Sequence, residues 1–219
     1  MISVLLPFRD AEATIAAAIA SALADLGPTD ELVAIDDGSA DASARLVAAF
    51  AERDPRVVLL GAREPGQSSG IVAALSRAID AARFDLLARM DADDVTLAGR
   101  FAAQRALLES EPTLGAVGVQ VELFPEPRGG MAAYVAWQNT LLTAADHAAG
   151  IFVESPLCHP ATMLRRAALD AVGGYRDPGW AEDYDLVMRM ALAGKQFGKV
   201  AEPLLDWTES PKRLSMRDP

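Results

Sequence analysis

The stretch Leu86-Leu87-Ala88-Arg89-Met90-Asp91-Ala92-Asp93-Asp94 decides the fold of this chain, because a short, largely apolar run leads directly into a group of carboxylates. Three earlier runs of the same kind are separated by helical stretches, and they are Ile2 to Leu6, Glu31 to Ile35 and Val57 to Leu60. Short runs that alternate with helices of about 10 to 15 residues indicate βαβ units. We therefore predict an α/β fold, with a mainly parallel mixed sheet flanked by helices.

The second half of the chain has a less regular pattern. It predicts a helix near Met131 to Ala145, a strand from His159 to Leu164, and a helix from Glu182 to Ala193 that ends at Gly194. The sequence contains no internal repeat and no low-complexity tail. We therefore treat residues 1–219 as one domain, with a change of character near residue 95.

Charge and composition exclude several classes of function. The 219 residues include 20 Lys and Arg against 31 Asp and Glu, which gives a net charge of −11. Binding to a phosphate backbone requires a basic face, so this balance argues against a nucleic-acid partner. The negative charge does not exclude a nucleotide ligand, since a bound divalent cation can reverse the local electrostatic potential. The single cysteine, Cys158, excludes an intrachain disulfide, and no apolar run is long enough to predict a transmembrane segment.

Three predicted strands end in polar residues that would meet at one edge of the sheet. These ends are Pro7-Phe8-Arg9-Asp10, Asp36-Asp37-Gly38-Ser39 and Asp91-Ala92-Asp93-Asp94. Ligands of open α/β sheets lie beyond the carboxyl ends of the strands, and clustered carboxylates are unfavourable without a cation. Hard oxygen ligands suit Mg²⁺ or Mn²⁺, so Asp91 and Asp93 can serve one ion. Two plainer interpretations stay open: Asp93 or Asp94 caps the next helix, and residues 36–39 form only a turn.

Seven short motifs, taken in order, make the chain resemble the inverting glycosyltransferases of family 2, which have the Rossmann-like GT-A fold. They are Val4 to Asp10, Ile35 to Ser39, Gly66 to Ala82, Met90 to Asp94, Cys158-His159-Pro160, Val172 to Tyr175 and Ala181 to Leu186. Each motif is weak alone, and the resemblance rests on their order and spacing over nearly all 219 residues. It implies one GT-A domain over residues 1–219, with a nucleotide-binding half (1–95) and an acceptor half (96–219).

The resemblance also implies a role for each site residue. Nucleotide contacts would come from Pro7, Phe8, Arg9, Asp10, Asp37, Gly70, Asp91 and Ala92. Asp37 would bond to the base, Asp93 would bind Mn²⁺ or Mg²⁺ directly, and Asp91 would lie near the ribose and the metal. Asp183 would be the catalytic base, a role that displacement at an anomeric carbon requires near the incoming hydroxyl. The donor sugar or the acceptor would meet Glu182, His159 and Gly174.

The implied donor is a nucleotide-diphosphate sugar, with UDP favoured and GDP or dTDP open. The implied acceptor is a hydroxyl of a glycan, a lipid-linked molecule or a small molecule. The enzyme would be cytoplasmic, with peripheral association at the inner membrane face left open. Since relatives commonly continue with further helices, a missing C-terminal extension is also an expectation. The alternative for Glu182 and Asp183 is that they are only first-turn acids, which the dipole of a helix favours.

The chain departs from the family pattern at three places. Phe8-Arg9-Asp10 stands where Tyr-Asn often follows the first proline, and Ser76-Arg77 stands where the loop helix usually carries Asn. Near the C-terminus, Trp207-Thr208-Glu209-Ser210 stands where an Arg and a His often precede a serine. His159 and Arg213 are the candidate substitutes for the missing pair.

Three other classes fit parts of the pattern. The segment Asp91 to Val95 matches the nucleophile motif of haloacid-dehalogenase-type phosphatases, although two βα units precede it here. A sugar-nucleotide pyrophosphorylase would need a glycine-rich basic loop where this chain has Pro7 to Asp10. A non-catalytic binding module would not require Asp91, Asp93 and Asp183 together.

Overall fold

The computed structural model describes residues 1–62, 66–124 and 129–208, whose strands form one eight-stranded sheet. The strands are β1 (Ile2–Phe8), β2 (Glu31–Asp36), β3 (Val57–Leu60), β4 (Leu86–Arg89), β5 (Val95–Thr96), β6 (Leu114–Phe124), β7 (Met163–Arg165) and β8 (Gln196–Thr208). The helices are α1 (Ile15–Asp25), α2 (Ser43–Ala51), α3 (Ile71–Ala81), α4 (Arg100–Ser110), α5 (Gly130–Thr140), α6 (Ala144–Gly150), α7 (Arg166–Asp170) and α8 (Glu182–Leu192).

The order of the strands across the sheet is β3-β2-β1-β4-β7-β6-β8-β5. The first four strands in this order are parallel, β7 is antiparallel to both of its neighbours, and β8 is parallel to β6. The prediction of an α/β fold with a mainly parallel mixed sheet is confirmed. Because β1, β2, β4 and β6 run in the same direction, their carboxyl ends lie at one edge of the sheet.

Helices cover both faces of the central strands. Side chains of a strand point alternately to opposite faces, so Val4 belongs to one buried cluster with Ile15 and Ile19 of α1, whereas Leu5 belongs to another with Leu75 of α3. Every residue of β1 is buried, as expected for a central parallel strand covered on both sides.

Three predicted boundaries are wrong, each for a local reason. β1 continues through Pro7 to Phe8, because β4 pairs with β1 only as far as Leu5 and Pro7 has a strand neighbour only in β2. The helix predicted near residues 131–145 is two helices, since Thr143 and Asp146 form a capping box that starts α6. The strand predicted from His159 begins instead with a 3-10 turn over His159–Ala161, which contains Pro160, and β7 starts at Met163.

The long strand β8 has no counterpart in the sequence prediction. It pairs with β6 over most of its length and also with the two-residue strand β5. None of the helices in the described ranges combines the length and the apolar surface that crossing a membrane would need.

Candidate active site

The carboxyl end of β1 is tied to the turn after β2. The Asp10 carboxylate accepts a hydrogen bond from the Ala40 amide (2.8 Å), and the Asp10 amide donates one to Ser39 Oγ (3.2 Å). Phe8 is buried within the strand, while the side chains of Arg9 and Asp10 are about half exposed. Of the four nucleoside contacts predicted here, Arg9 and Asp10 are therefore the two that present side chains at the edge.

The Asp37 carboxylate is occupied by the turn before α3. It accepts hydrogen bonds from Ser68 Oγ (2.5 Å), from the amide and hydroxyl of Ser69 (both 2.7 Å), and from the Gly70 amide (3.2 Å). Burial raises the pKa of Asp37, but these hydrogen bonds outweigh it and lower the pKa below its ordinary value. The ionised Asp37 thus holds Gly70, at φ +86°, as the residue that precedes α3.

Asp91, Asp93 and Asp94 form an acidic cluster just beyond β4. One carboxylate oxygen of each lies within 4.8 Å of the others, an arrangement of hard donors that fits Mg²⁺ or Mn²⁺. The interpretation of Asp93 or Asp94 as a helix cap is wrong, because β5 follows them and α4 begins only at Arg100, after Gly99. Ala92, between the two predicted metal ligands, is buried.

The end of β8 positions this acidic cluster. The Thr208 amide donates to Asp94 Oδ1 (2.8 Å), and the Thr208 hydroxyl donates to the Asp93 carbonyl oxygen (2.5 Å). Asp94 is 1% exposed, and the sequence analysis gave it no ligand role. The position of Asp94 beside Asp91 and Asp93 was the only sign in the sequence that it belongs to this cluster. No local pattern pointed to Thr208, because it lies on a strand more than 100 residues further along the chain.

Arg89, the last residue of β4, is the buried counter-ion of the cluster. Its side chain is 6% exposed and its Nη1 lies 2.5 Å from Asp91 Oδ1. Burial works to lower the pKa of Arg89, but Asp91 raises it above its ordinary value, so the guanidinium stays charged. The charge of Arg89 also lowers the pKa of Glu182 and of Asp183, and so opposes the effect of burial, which raises the pKa of both. Arg89 therefore interacts with both the acidic cluster and the predicted base. In the sequence, the only indication of this role is that Arg89 is a charged residue inside an apolar run.

Glu182 and Asp183 lie together in the first turn of α8. Asp183 lines a cavity of about 20 Å³, room for a single water, together with Ser155 and Tyr175. Burial raises the pKa of both carboxyls, and the charge of Glu154 raises that of Asp183 further. A partly dehydrated carboxylate with a raised pKa is suited to accept a proton. The plainer interpretation of the pair as helix-terminal acids fits the same placement.

His159 connects α8 to the turn at Gly174 and Tyr175. Its Nε2 lies 2.8 Å from the Tyr175 hydroxyl, and its Nδ1 lies 3.8 Å from Glu182 Oε1. Burial, together with the charge of Arg89, holds the pKa of His159 well below its ordinary value, so the ring is neutral. The Gly174 carbonyl accepts a hydrogen bond from Arg189 Nη2 (2.8 Å), which ties the turn to α8. Arg213, the other candidate substitute for the C-terminal pair, lies outside the described residues.

Comparison with known proteins connects this geometry to a family. The family model described as "Glycosyl transferase family 2" matches residues 3–173. EpsE of Bacillus subtilis (strain 168), provisionally named a glycosyltransferase, is 27% identical over 99% of this chain and 76% of its own length. A UDP-Gal:alpha-D-GlcNAc-diphosphoundecaprenol beta-1,3-galactosyltransferase of Escherichia coli is 25% identical over 69% of this chain and 54% of its own length.

A solved structure shows the same fold. The mannosyltransferase PcManGT from Pyrobaculum calidifontis, in complex with GDP-Man and Mn²⁺, matches with a TM-score of 0.74 and 21% identity. The match covers 97% of this chain and 58% of that chain, so this chain spans less than two thirds of that protein. These matches do not favour a phosphatase, a pyrophosphorylase or a non-catalytic binding module.

Proposed function

The chain belongs to glycosyltransferase family 2, and from this premise we propose that it transfers a sugar from a UDP-sugar to an acceptor hydroxyl with inversion. The proposal rests on one observation, the placement of Asp183. This carboxylate lines a small cavity and feels the charge of Arg89, which in turn pairs with Asp91 of the acidic cluster. The proposed proton acceptor and the proposed diphosphate-binding cluster are thus linked through the buried guanidinium of Arg89.

In the proposed reaction Asp183 takes the proton from the acceptor hydroxyl while the oxygen of that hydroxyl bonds to the anomeric carbon. The bond between that carbon and the diphosphate oxygen breaks, and the electron pair leaves with the nucleoside diphosphate. A single base suffices for such a direct displacement, which inverts the anomeric configuration. Asp91, Asp93 and Asp94 would hold the Mn²⁺ or Mg²⁺ ion, which supplies charge stabilisation for the leaving diphosphate when bound.

The nucleotide half is proposed to bind the base and ribose at the ends of β1 and β2. Arg9 and Asp10 present exposed side chains there, and a base that bonds to Asp37 would share or displace the donors of Ser68 to Gly70. UDP is favoured because the E. coli relative is named for UDP-Gal, although PcManGT was solved with GDP-Man. A cytoplasmic location, with peripheral membrane association open, stays a prediction.

A panel of thermal-shift measurements tests this function. UDP with Mn²⁺ should raise the melting temperature more than UDP alone, and more than GDP, dTDP or CDP with Mn²⁺. A ligand at 100 times its Kd stabilises by about 2.7 kcal/mol, or roughly 5 to 11 °C for a chain of this size. A parallel assay follows the release of UDP from UDP-sugars. If no nucleotide shifts the melting temperature at millimolar concentration, the proposed function is wrong.

A further inference from the structure

We propose that Arg89 acts as an internal cation of the acidic cluster, which weakens the binding of a divalent ion alone and strengthens the binding of a nucleoside diphosphate. This inference rests on the proposed function, since it takes the cluster of Asp91, Asp93 and Asp94 as the site of the ion and the diphosphate. It goes beyond that function by assigning a residue outside the ligand set that decides which of the two ligands binds first.

The sheet fixes the position of Arg89. It is the last residue of β4, a strand that lies between β1 and β7. Its amide donates to the Thr162 carbonyl oxygen (2.8 Å), and its own carbonyl oxygen accepts a hydrogen bond from Arg100 Nη2 (2.7 Å). Because its side chain is also buried, the guanidinium is a fixed positive charge directly before the acidic cluster.

The Arg89 side chain contacts charge, whereas a neighbouring buried arginine holds the backbone. Arg89 Nη1 pairs with Asp91 Oδ1, and the charge of Asp94 acts on the same guanidinium. Its Nε is buried and has no hydrogen-bond partner within the described ranges. Arg100, by contrast, donates to the carbonyl oxygens of Arg89 and Pro160. Neutralisation of the cluster, and not support of the backbone, therefore accounts for the charge of Arg89.

Arg89 and a divalent ion would compete for the same carboxylate. Asp91 offers a ligand atom to the cluster, and it is also the partner of Arg89. Two positive charges a few ångströms apart repel each other, and most strongly where water is excluded. Arginine keeps its charge throughout the working pH range, so this repulsion is always present. Arg89 therefore lowers the affinity of the cluster for an ion that arrives alone.

The balance of charge in the cluster shows what a diphosphate gains from Arg89. When ionised, the carboxylates of Asp91, Asp93 and Asp94 exceed the charge of one divalent ion. Without Arg89, the cluster would stay negative even with the ion bound, and it would repel a diphosphate. With the guanidinium of Arg89 beside Asp91, the ion-bound cluster is neutral, and a diphosphate meets two cations.

These opposite effects predict an order of binding. Because Arg89 repels the ion and attracts the diphosphate, the nucleotide binds before the ion or together with it. A residue that only oriented Asp91 as a ligand would act differently, since its loss would weaken the binding of the ion. The two roles of Arg89 therefore predict changes of opposite sign when its charge is removed.

Calorimetric titrations with Mn²⁺ alone, and with UDP in the presence of EDTA, test the proposal. Arg89→Gln removes the charge and keeps a polar side chain beside Asp91, whose own side chain is 33% exposed and stays hydrated. The variant should bind Mn²⁺ about tenfold more tightly than the wild type, a change of about 1.4 kcal/mol. It should bind metal-free UDP about threefold more weakly. Structural damage to the site would weaken the binding of both ligands.

Three further variants serve as controls. Arg89→Met removes the charge without a polar replacement and should change both affinities in the same directions as Arg89→Gln. Arg89→Lys keeps a positive charge and should stay within about threefold of the wild type for both ligands. Arg105→Met is the matched control, because Arg105 also lies near an aspartate (Asp30, 4.0 Å), but one that precedes β2 at the opposite edge of the sheet. It changes the net charge equally and should leave both affinities unchanged.

Two results would overturn the proposal. One is an affinity for Mn²⁺ in Arg89→Gln and Arg89→Met that equals or falls below that of the wild type. The other is a gain in Mn²⁺ affinity in Arg105→Met as large as theirs, which would make the effect one of net charge alone. The proposed function fails separately, whatever the Arg89 variants do, if the wild type does not bind UDP when Mn²⁺ is present.

Discussion

Asp183→Asn removes a proton acceptor while keeping the size of the side chain and most of its hydrogen bonding. Loss of a general base lowers turnover by about 10²- to 10⁴-fold, which raises the barrier by roughly 2.7 to 5.4 kcal/mol. The structure favours the upper half of that range, about 10³-fold or more. The cavity beside Asp183 has room for only about one water, and the neighbouring Glu182 faces His159 at 3.8 Å. Neither is placed to replace the lost base.

The assay is steady-state release of UDP at saturating donor, with donor affinity measured separately by calorimetry. Donor affinity should stay within about threefold of the wild type, because Asp183 acts only in the chemical step. Since burial raises the pKa of Asp183, wild-type turnover should rise with pH through that raised pKa, and the residual rate of Asp183→Asn should be flat there. Glu182→Gln is the control and should lose far less. Wild-type turnover in Asp183→Asn, or loss of donor binding, would refute this assignment.

Four further outcomes are expected. Asp93→Ala should remove the Mn²⁺-dependent part of UDP binding in calorimetry and leave the fold intact; unchanged affinity would exclude Asp93 as a ligand. Asp37→Ala should weaken UDP binding with or without Mn²⁺, and a loss confined to Mn²⁺ would place Asp37 in the ion site. Arg100→Leu should lower stability by about 3 kcal/mol and the melting temperature by roughly 6 to 12 °C in calorimetry, because Arg100 is fully buried and donates to the Arg89 and Pro160 carbonyls. Between pH 6.5 and pH 4, the free energy of unfolding, measured by urea titration, should fall by about 3 kcal/mol more in the wild type than in His147→Gln. The pKa of His147 is near 4 in the folded state and near 6.5 in the unfolded state, so protonation favours the unfolded state. Equal losses in the two proteins would contradict it.

The N-terminal half of the fold could be predicted because its signals are local. Each strand from β1 to β4 is a short apolar run next to its own helix, and parallel pairing then brings Asp10, Asp37 and Asp91 to one edge. The shared direction of the strands is enough to predict this placement, and no side-chain contact has to be known. That is why the acidic cluster was found from spacing alone.

The C-terminal half resisted prediction because its elements depend on distant partners. The strand β8 contains Gly198 and Pro203, two residues disfavoured in strands, and it exists because β6 and β5 pair with it. The break between α5 and α6 was signalled by Thr143 and Asp146, a capping pair that helical composition concealed. The counter-ion role of Arg89 also requires three dimensions, since its interactions reach from Asp91 to Asp183.

The contacts of Thr208 with Asp93 and Asp94 have a consequence for biosynthesis. The strands β1 to β4, whose carboxyl ends carry the candidate site, are translated first, and the N-terminal part of a chain is the first to emerge during synthesis. The acidic cluster, however, is braced by a residue that leaves the ribosome more than 100 positions later. A nascent chain halted before Thr208 would present three crowded carboxylates without that brace. Competence to hold the proposed cation would therefore be acquired late in translation, and deletions that remove Thr208 should weaken cation binding even when the earlier strands have folded.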